Sequence, residues 1–405
     1  MKTQVSFALL FGLLLGPAVH AASPQPVPVY TFTCKGSLTF GGICPNGGRP
    51  DAILQGSDGN FYGAAWDSQE GSSQPYGGTI FSLTPSGAFT VLHRFLPGQN
   101  KNYPTGNNPF ALTEGPDGML YGATEGGGSS GGGVLFRIGT NGSGFHILHN
   151  FCSSPNCADG GPGAMVLSTD GNLYGASYGG GDDGPNGYGT IFRVIPSTGA
   201  YAVLFSFTDK LCDCGPSGLT VGPDGTLYGM QGNAWFHFTP STGDFQTALL
   251  PFPIVNQSPS SPDTGLMLGP NGNLYGLYTI YPQHGTGVFE VALDGSDFQV
   301  FPEYNTDVST LPGALLLATD GNFWITSYNG TDGYGNIVTV SPSDGTMLET
   351  VAQFSATDAA GSYPQALIQA QDGMFWGMTE TNGKAPKGFF ADGVVFSLNA
   401  GLPPR

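Results

Sequence analysis

Aromatic and ionisable side chains that could bind a ligand gather in glycine-rich stretches of this 405-residue chain. Tyrosine and tryptophan rings can stack on sugars or peptides, while neighbouring carboxylates hydrogen-bond the polar groups of such ligands. These stretches supply the candidate ligand-binding residues Trp66, Asp67, Tyr76, Tyr178, Asp182, Tyr188, Tyr278, Tyr281, His284, Tyr328, Tyr334, Glu380 and Phe389. The simpler alternative is that the tyrosines cap loops and the acids are solvated.

The same stretches also permit a catalytic alternative. An extracellular hydrolase or lyase acting on polysaccharide or peptide would use paired carboxylates or a histidine. Its candidate residues are Asp67, Asp182, Asp183, Glu380 and His284. No motif supports a nucleophile, because the serine-containing string at 127–131 lies in a run of glycines rather than between a strand and a helix. We therefore expect a non-catalytic binding module without cofactor or metal, and keep the enzyme as the alternative.

The elements that must position these residues are short strands. With 67 Gly and 32 Pro, the chain has few stretches that could form long helices. A string of the form Asp-Gly-x-Leu/Phe-Tyr-Gly recurs seven times, with Asn for Asp in the fifth copy and Trp for Tyr in the last two. The copies lie at 58–63, 117–122, 170–175, 224–229, 271–276, 320–325 and 372–377. Such repetition indicates one structural unit per copy.

Each unit contains four short apolar segments. The Asp-Gly turn separates the first from the second, because Asp-Gly between apolar runs is a strong hairpin signal. A Gly-Thr-Ile-Phe string such as 78–81 forms the third, and a segment such as 89–95 forms the fourth. Four antiparallel strands in about 50 residues are typical of a propeller blade. The sequence thus predicts an all-β, seven-bladed propeller, with strands A to D numbered outward from the channel.

The two ends of the chain fit a closed ring. The seventh unit stops after its third segment, at Leu398, and lacks strand D. Residues 28–33 near the N-terminus resemble the D segments. We therefore expect the N-terminal strand to complete the last blade, which would remove an open sheet edge. This makes residues 22–405 one propeller domain.

The repeated pair of strings also resembles the GloVer tandem-repeat family of secreted proteins. The resemblance rests on Asp-Gly-x-Leu/Phe-Tyr-Gly followed by Gly-Thr-Ile/Val-Phe-x-Leu, and it covers nearly the whole mature chain. Copies four and six depart from the second string at 234–236 and 336–338. The resemblance implies an extracellular or cell-envelope repeat protein, and it supplies no catalytic residues.

The propeller arrangement assigns the candidate residues to one face. The A–B and C–D turns of a propeller lie on one face, and here they are short and repetitive. The B–C and D–A connections lie on the other face and differ in every blade. Variable loops on a rigid scaffold commonly carry binding sites, so we expect the ligand surface on that second face.

The six cysteines form three close pairs in sequence, and each pair follows a D segment. The pairs are Cys34 with Cys44, Cys152 with Cys157 and Cys212 with Cys214. An even number of cysteines in an exported chain indicates disulfides. A zinc site is the weaker alternative, because no pair has Cys-x-x-Cys spacing and no histidine cluster accompanies them.

The N-terminus predicts export. Lys2 precedes an apolar run at 5–15, and small residues surround a cleavage position before Ala22. We expect residues 1–21 to be a signal peptide and the mature protein to be secreted, without membrane insertion. A net charge of −18 argues against nucleic acid as a partner. The expected partner is a carbohydrate or a surface protein, and the expected state is a monomer.

Overall fold

The computed structural model describes residues 24–34, 44–66, 77–98, 102–153, 157–181, 187–208, 215–252, 254–255, 258–259, 261–262, 265–280, 285–301, 312–328, 333–382 and 392–405. Within these ranges the regular secondary structure consists of β-strands, and none of the described residues is in an α-helix. The candidate residues Asp67, Tyr76, Asp182, Asp183, Tyr281, His284 and Phe389 lie outside the described residues, as do Cys212, Cys214 and the proposed signal peptide.

Seven antiparallel sheets form the blades, as the repeat predicts. Blade one contains β2 (Arg49–Gln55), β3 (Phe61–Trp66), β4 (Thr79–Leu83) and β5 (Phe89–Arg94). Blade two contains β6 (Asn107–Glu114), β7 (Met119–Gly126), β8 (Val134–Gly139) and β9 (His146–Asn150). Blade three contains β10 (Gly161–Leu167), β11 (Leu173–Tyr178), β12 (Thr190–Ile195) and β13 (Ala200–Ser206). Blade four contains β14 (Thr220–Val221), β15 (Leu227–Gln231), β16 (Ala234–Thr239) and β17 (Asp244–Leu249).

The remaining blades follow the same order, with one hairpin inserted before blade five. That hairpin is β18 (Ile254–Val255) and β19 (Ser258–Pro259). Blade five contains a divided inner strand, β20 (Ser261–Pro262) and β21 (Met267–Leu268), then β22 (Leu274–Ile280), β23 (Gly285–Val291) and β24 (Gln299–Val300). Blade six contains β25 (Pro312–Leu317), β26 (Phe323–Ser327), β27 (Asn336–Val340) and β28 (Met347–Gln353). Blade seven contains β29 (Ser362–Gln369), β30 (Phe375–Thr381), β31 (Val394–Leu398) and β1 (Val27–Thr31).

The N-terminal strand closes the ring. β1 pairs antiparallel with β31, and Thr31 lies opposite Val394. Phe32, the next residue, is fully buried among side chains of blades seven and one. The prediction that the first strand completes the last blade is confirmed.

The Asp-Gly string builds each inner hairpin through its own side chain. Asp58 accepts hydrogen bonds from the backbone N–H of Asn60 and from the Tyr62 hydroxyl, at 3.0 and 2.7 Å. Gly59 takes a φ of +81°, which a residue with a Cβ rarely adopts. The hydroxyl of Tyr121 makes the same bond to Asp117, and that of Tyr174 the same bond to Asp170. The repeated carboxylate is therefore a structural element of the turn.

The core lies between neighbouring blades rather than within one. Phe61 and Ala65 of blade one pack with Trp376 and Met378 of blade seven. Tyr62 and Ala64, on the opposite side of the same strand, pack with residues of blade two. Successive strand residues point to opposite faces, so each second strand contributes to the two interfaces beside it. The last residue of that strand is thereby aimed at the next blade.

Two disulfides fix loops that follow outer strands. Cys34 is bonded to Cys44, and Cys152 is bonded to Cys157, in agreement with the sequence pairs.

In the part of the chain that the structure describes, no helix has the length and apolar character needed to cross a membrane.

Candidate functional site

One repeat position places seven residues, six of them with side chains, at the same end of the seven blades. We define the rim residue as the third residue after the final residue of each Asp-Gly string, at the end of strand B. The rim residues of blades one to seven are Trp66, Glu125, Tyr178, Gly232, Thr279, Tyr328 and Glu380. In sequence, each blade also has a pre-proline residue, immediately before the proline that recurs at or ahead of strand A: Arg49, Asn108, Gly161, Gly215, Ser261, Leu311 and Tyr363. Arg49 lies directly across the sheet from Trp66, and Gly161 directly across from Tyr178.

Half of this rim is occupied by contacts within the protein. The carboxylate of Glu380 is buried, with 1% of its side chain exposed, and pairs with Nε of Arg49 at 2.6 Å. The Tyr328 hydroxyl donates a hydrogen bond to the other carboxylate oxygen at 2.5 Å. Burial, this bond and the charge of Glu380 all raise the pKa of Tyr328. Three blades are linked through one carboxylate.

Aromatic rings extend the linked half in both directions. The guanidinium of Arg49 lies over the Trp66 ring, 5.2 Å from its centroid. Tyr328 stacks on Tyr363 with centroids 4.7 Å apart, and Tyr334 lies 6.2 Å from the same ring. Tyr363 adopts a φ of +64°, an uncommon conformation for an aromatic residue. We name the set Trp66, Arg49, Glu380, Tyr328 and Tyr363 the closed half of the rim.

On another part of the rim, blades two and three present exposed side chains. Tyr178 is 48% exposed, and it is the one aromatic among the exposed large hydrophobic side chains of the described residues. Glu125 is also exposed, and it accepts a hydrogen bond from Asn108 Nδ2 at 3.2 Å. Gly161 adds no side chain between them. We name the set Asn108, Glu125, Gly161 and Tyr178 the open half.

A further carboxylate, that of Asp51, is half-buried near charged groups of both halves. Asp51 follows Pro50 at an irregularity in β2, and among the described residues its side chain has no hydrogen-bond partner. Burial raises its pKa to about 6; Arg49 opposes this shift, while the charges of Glu380 and Glu125 add to it. Burial and the charges of Glu125 and Asp51 also raise the pKa of Tyr178. The charge of Asp51 therefore interacts with groups on three other blades, namely Glu380, Glu125 and Tyr178.

The structure separates the described candidates into two groups. Trp66, Tyr178, Tyr328 and Glu380 are rim residues, and Tyr334 lies beside them. Tyr278 is placed in the core between blades four and five, where its hydroxyl donates to the carbonyl of Phe301 at 2.8 Å. Tyr188 is partly buried between blades three and four.

Sequence reasoning missed Arg49, Asp51 and Glu125. The signal for Glu125 was present, because it occupies the same repeat position as four residues that were chosen. Arg49 and Asp51 flank the proline that opens strand A, and that proline recurs in every blade. Comparing residues by repeat position, rather than by loop composition, would have selected all three.

The potential metal ligands of the described residues are already engaged. Cys152, Cys157 and Asp159 place one ligand atom each within 4.8 Å of one another. The two sulfurs are bonded to each other. Asp159 accepts the Cys152 backbone N–H at 2.9 Å and lies 2.6 Å from Nε2 of His149. This arrangement pins the loop after blade two.

Sequence comparison agrees with the repeat on which this geometry rests. Residues 49–279, more than half of the chain, match the Gloeobacter/Verrucomicrobia repeat family. The protein belongs to this family. The matched residues span the first four blades and part of the fifth, and the resemblance inferred from the Asp-Gly strings is confirmed. A search of the curated proteins finds no relative.

Solved structures share the fold of this repeat protein at low sequence identity. The extracellular domain of BT4673, assigned to a hybrid two-component system of B. thetaiotaomicron, gives a TM-score of 0.57 at 12% identity and covers 90% of the chain. PorZ, a surface component of the type-IX secretion system of Porphyromonas gingivalis, gives 0.53 at 14% identity over 89% of the chain. The chain spans 39% of the first and 48% of the second. These likenesses show the fold alone.

Proposed function

We propose that this protein is an exported, non-catalytic binding module that attaches to a carbohydrate or peptide through the open half of its rim. The observation that carries the proposal is the exposed ring of Tyr178 beside Glu125 and Asn108. An exposed ring with adjacent carboxylate and amide groups suits ligands that present both an apolar face and hydrogen-bonding groups. The closed half acts as the rigid wall of this surface.

Export and surface location are supported by three features. The N-terminal segment has the pattern of a signal peptide, and both described disulfides are of the kind that persist in oxidising compartments. The propellers of BT4673 and PorZ belong to an extracellular domain and a surface component. We propose that the mature module works as a monomer outside the cell membrane and does not bind nucleic acid.

A screen of the purified mature chain on glycan and peptide arrays tests this function. The wild type should be retained by at least one compound class, without releasing product. Tyr178→Ala should reduce that retention at least tenfold. Leu249→Ala removes a 68% exposed side chain from the outer strand of blade four and should leave retention unchanged. Equal loss in both variants, or no loss in Tyr178→Ala, would contradict the proposed surface.

One observation favours the catalytic alternative, an extracellular hydrolase or lyase. Asp51 has a pKa raised to about 6, near the range useful for a general acid, and Glu125 is a second carboxylate of the same mouth. Glu380, by contrast, is held by Arg49 and Tyr328. Product release from a retained polysaccharide or peptide that disappears in Asp51→Asn would establish the enzyme and exclude the non-catalytic module.

A further inference from the structure

The closed half shows how this rim binds a cation. Glu380 is the rim residue of blade seven, and Trp66 is the rim residue of blade one. Between them lies the guanidinium of Arg49, the pre-proline residue of blade one, which pairs with the acid at 2.6 Å and lies over the indole at 5.2 Å. An acid, a cation and an aromatic ring thus come from three defined repeat positions of two neighbouring blades.

Two blades further round the ring, the same positions hold the acid and the ring but no cation. Glu125 is the rim residue of blade two, and Tyr178 is the rim residue of blade three. The pre-proline residue of blade three is Gly161, where blade one has Arg49. Gly161 lies across the sheet from Tyr178, just as Arg49 lies across from Trp66. At Gly161 the repeat therefore supplies no side chain at the position from which Arg49 extends in the closed half.

We infer that an arginine side chain of a partner protein or peptide occupies the place above Gly161, between the Glu125 carboxylate and the Tyr178 ring. This inference rests on the proposed function and names the chemistry of its ligand. A guanidinium is favoured because it is planar, stays charged, pairs with carboxylates through two N–H groups and stacks on aromatic faces. Arg49 uses these properties in the closed half.

The charges around the site favour a cationic ligand. Glu125 and Asp51 are both acidic, and the one described cation near them, Arg49, is engaged by Glu380. Burial and the neighbouring acids raise the pKa of Asp51 to about 6, so its negative charge is lost in mild acid. Arginine binding should therefore weaken as the pH falls through about 6. The other ionisable groups that face Asp51 are Arg49, Glu380, Glu125 and Tyr178.

A guanidinium can be introduced at this position from within the chain, which gives a direct test. An ideal Cβ on Gly161 would lie 3.5 Å from Cε2 of Tyr178, an ordinary van der Waals distance, and Gly161 does not adopt a positive φ. Gly161→Arg should therefore be tolerated. It should supply an internal guanidinium for Glu125 and compete with any external one. Gly161→Gln is its uncharged control.

Fluorescence titration with two peptides provides the measurement. The probes are acetyl-Gly-Arg-Gly-amide and the same peptide with citrulline, a neutral isostere of arginine. Wild type should bind the arginine peptide at least tenfold more tightly than the citrulline peptide. Gly161→Arg and Glu125→Gln should abolish this preference, while Gly161→Gln and Glu349→Gln, an exposed acid on the outer strand of blade six, should retain it. Thermal melting of each variant verifies folding.

Failure of this inference differs from failure of the proposed function. Equal affinity for both peptides, or a preference that survives in Gly161→Arg, would overturn the arginine site. If array retention still depended on Tyr178 in that case, the binding module would stand with a different ligand. Loss of both the arginine preference and the dependence on Tyr178 would overturn the two proposals together.

Discussion

At the residue scale, two blades depart from the repeat, and in each of them a second residue compensates for the change. In six blades the last glycine of the Asp-Gly string lies beneath a phenylalanine of strand C; a Cβ on Gly122 would be 2.3 Å from Cζ of Phe136. In blade six Ile325 replaces the glycine and Val338 replaces the phenylalanine. The larger side chain is therefore on strand B and the smaller one on strand C. Blade five has Asn271 in place of Asp, and there Glu290 supplies the carboxylate.

The exchange in blade six predicts a coupled pair of substitutions in blade two. Gly122→Ile alone should cost about 3 kcal/mol, because the added side chain overlaps the Phe136 ring. Phe136→Val alone should cost about 2–4 kcal/mol by leaving a cavity. The loss of unfolding free energy in the double variant should be smaller than the sum of the two single losses by more than about 1 kcal/mol. Urea unfolding measures these values, and combining Gly122→Ile with Phe192→Val of blade three provides the additive control.

At the element scale, the outer strands are joined by stacked rings that the sequence did not reveal. Tyr30 stacks on Phe89 with centroids 3.7 Å apart, and His93 stacks on Phe145 at 3.8 Å. His149 with Tyr201 and Phe205 with Phe245 continue the series. Each pair joins strand D of one blade to the start of strand D in the next. The strands of each blade hydrogen-bond into a separate sheet. The ring contacts, together with closure by β1, therefore hold the outer parts of neighbouring blades together.

The stacked His93 predicts a loss of stability in mild acid. Burial lowers its pKa to about 4, below the usual 6.5 of the unfolded chain. Its contribution is therefore complete above pH 6.5 and declines as the pH falls towards 4. Between pH 7 and pH 5 this single group should cost about 2 kcal/mol of unfolding free energy.

His93→Phe preserves a ring against Phe145 and should remove that part of the pH dependence. The exposed His146→Phe serves as the control and should keep it. Urea unfolding at pH 7 and pH 5 gives the change in unfolding free energy for the wild type and both variants. Asp51 and the other titrating groups are present in all three proteins, so their contribution cancels in the comparison. An unchanged pH dependence in His93→Phe would show that this histidine is not buried in its neutral form.

At the scale of the whole molecule, the fold was predictable and the site only partly so. Turn glycines and strand periodicity determine the blades, because each is a local constraint repeated in seven copies, and the pairing of β1 with β31 closes the ring. The rim depends on contacts between blades far apart in sequence, such as Arg49 with Glu380. Composition selected Tyr178 and Glu380 but could not show that Tyr178 is exposed and that Glu380 is paired with Arg49. It also placed Tyr278 with the ligand-facing residues, although its ring packs in the core.

The central claim is that ligands contact the open half of the rim on the variable-loop face. Hydrogen exchange of the mature protein, with and without the array compound of highest retention, tests it most directly. We predict that protection will increase in the peptides containing Asn108, Glu125, Gly161 and Tyr178, while the Asp-Gly turns on the opposite face stay unchanged. Protection confined to those turns, or to the outer strands, would contradict the account.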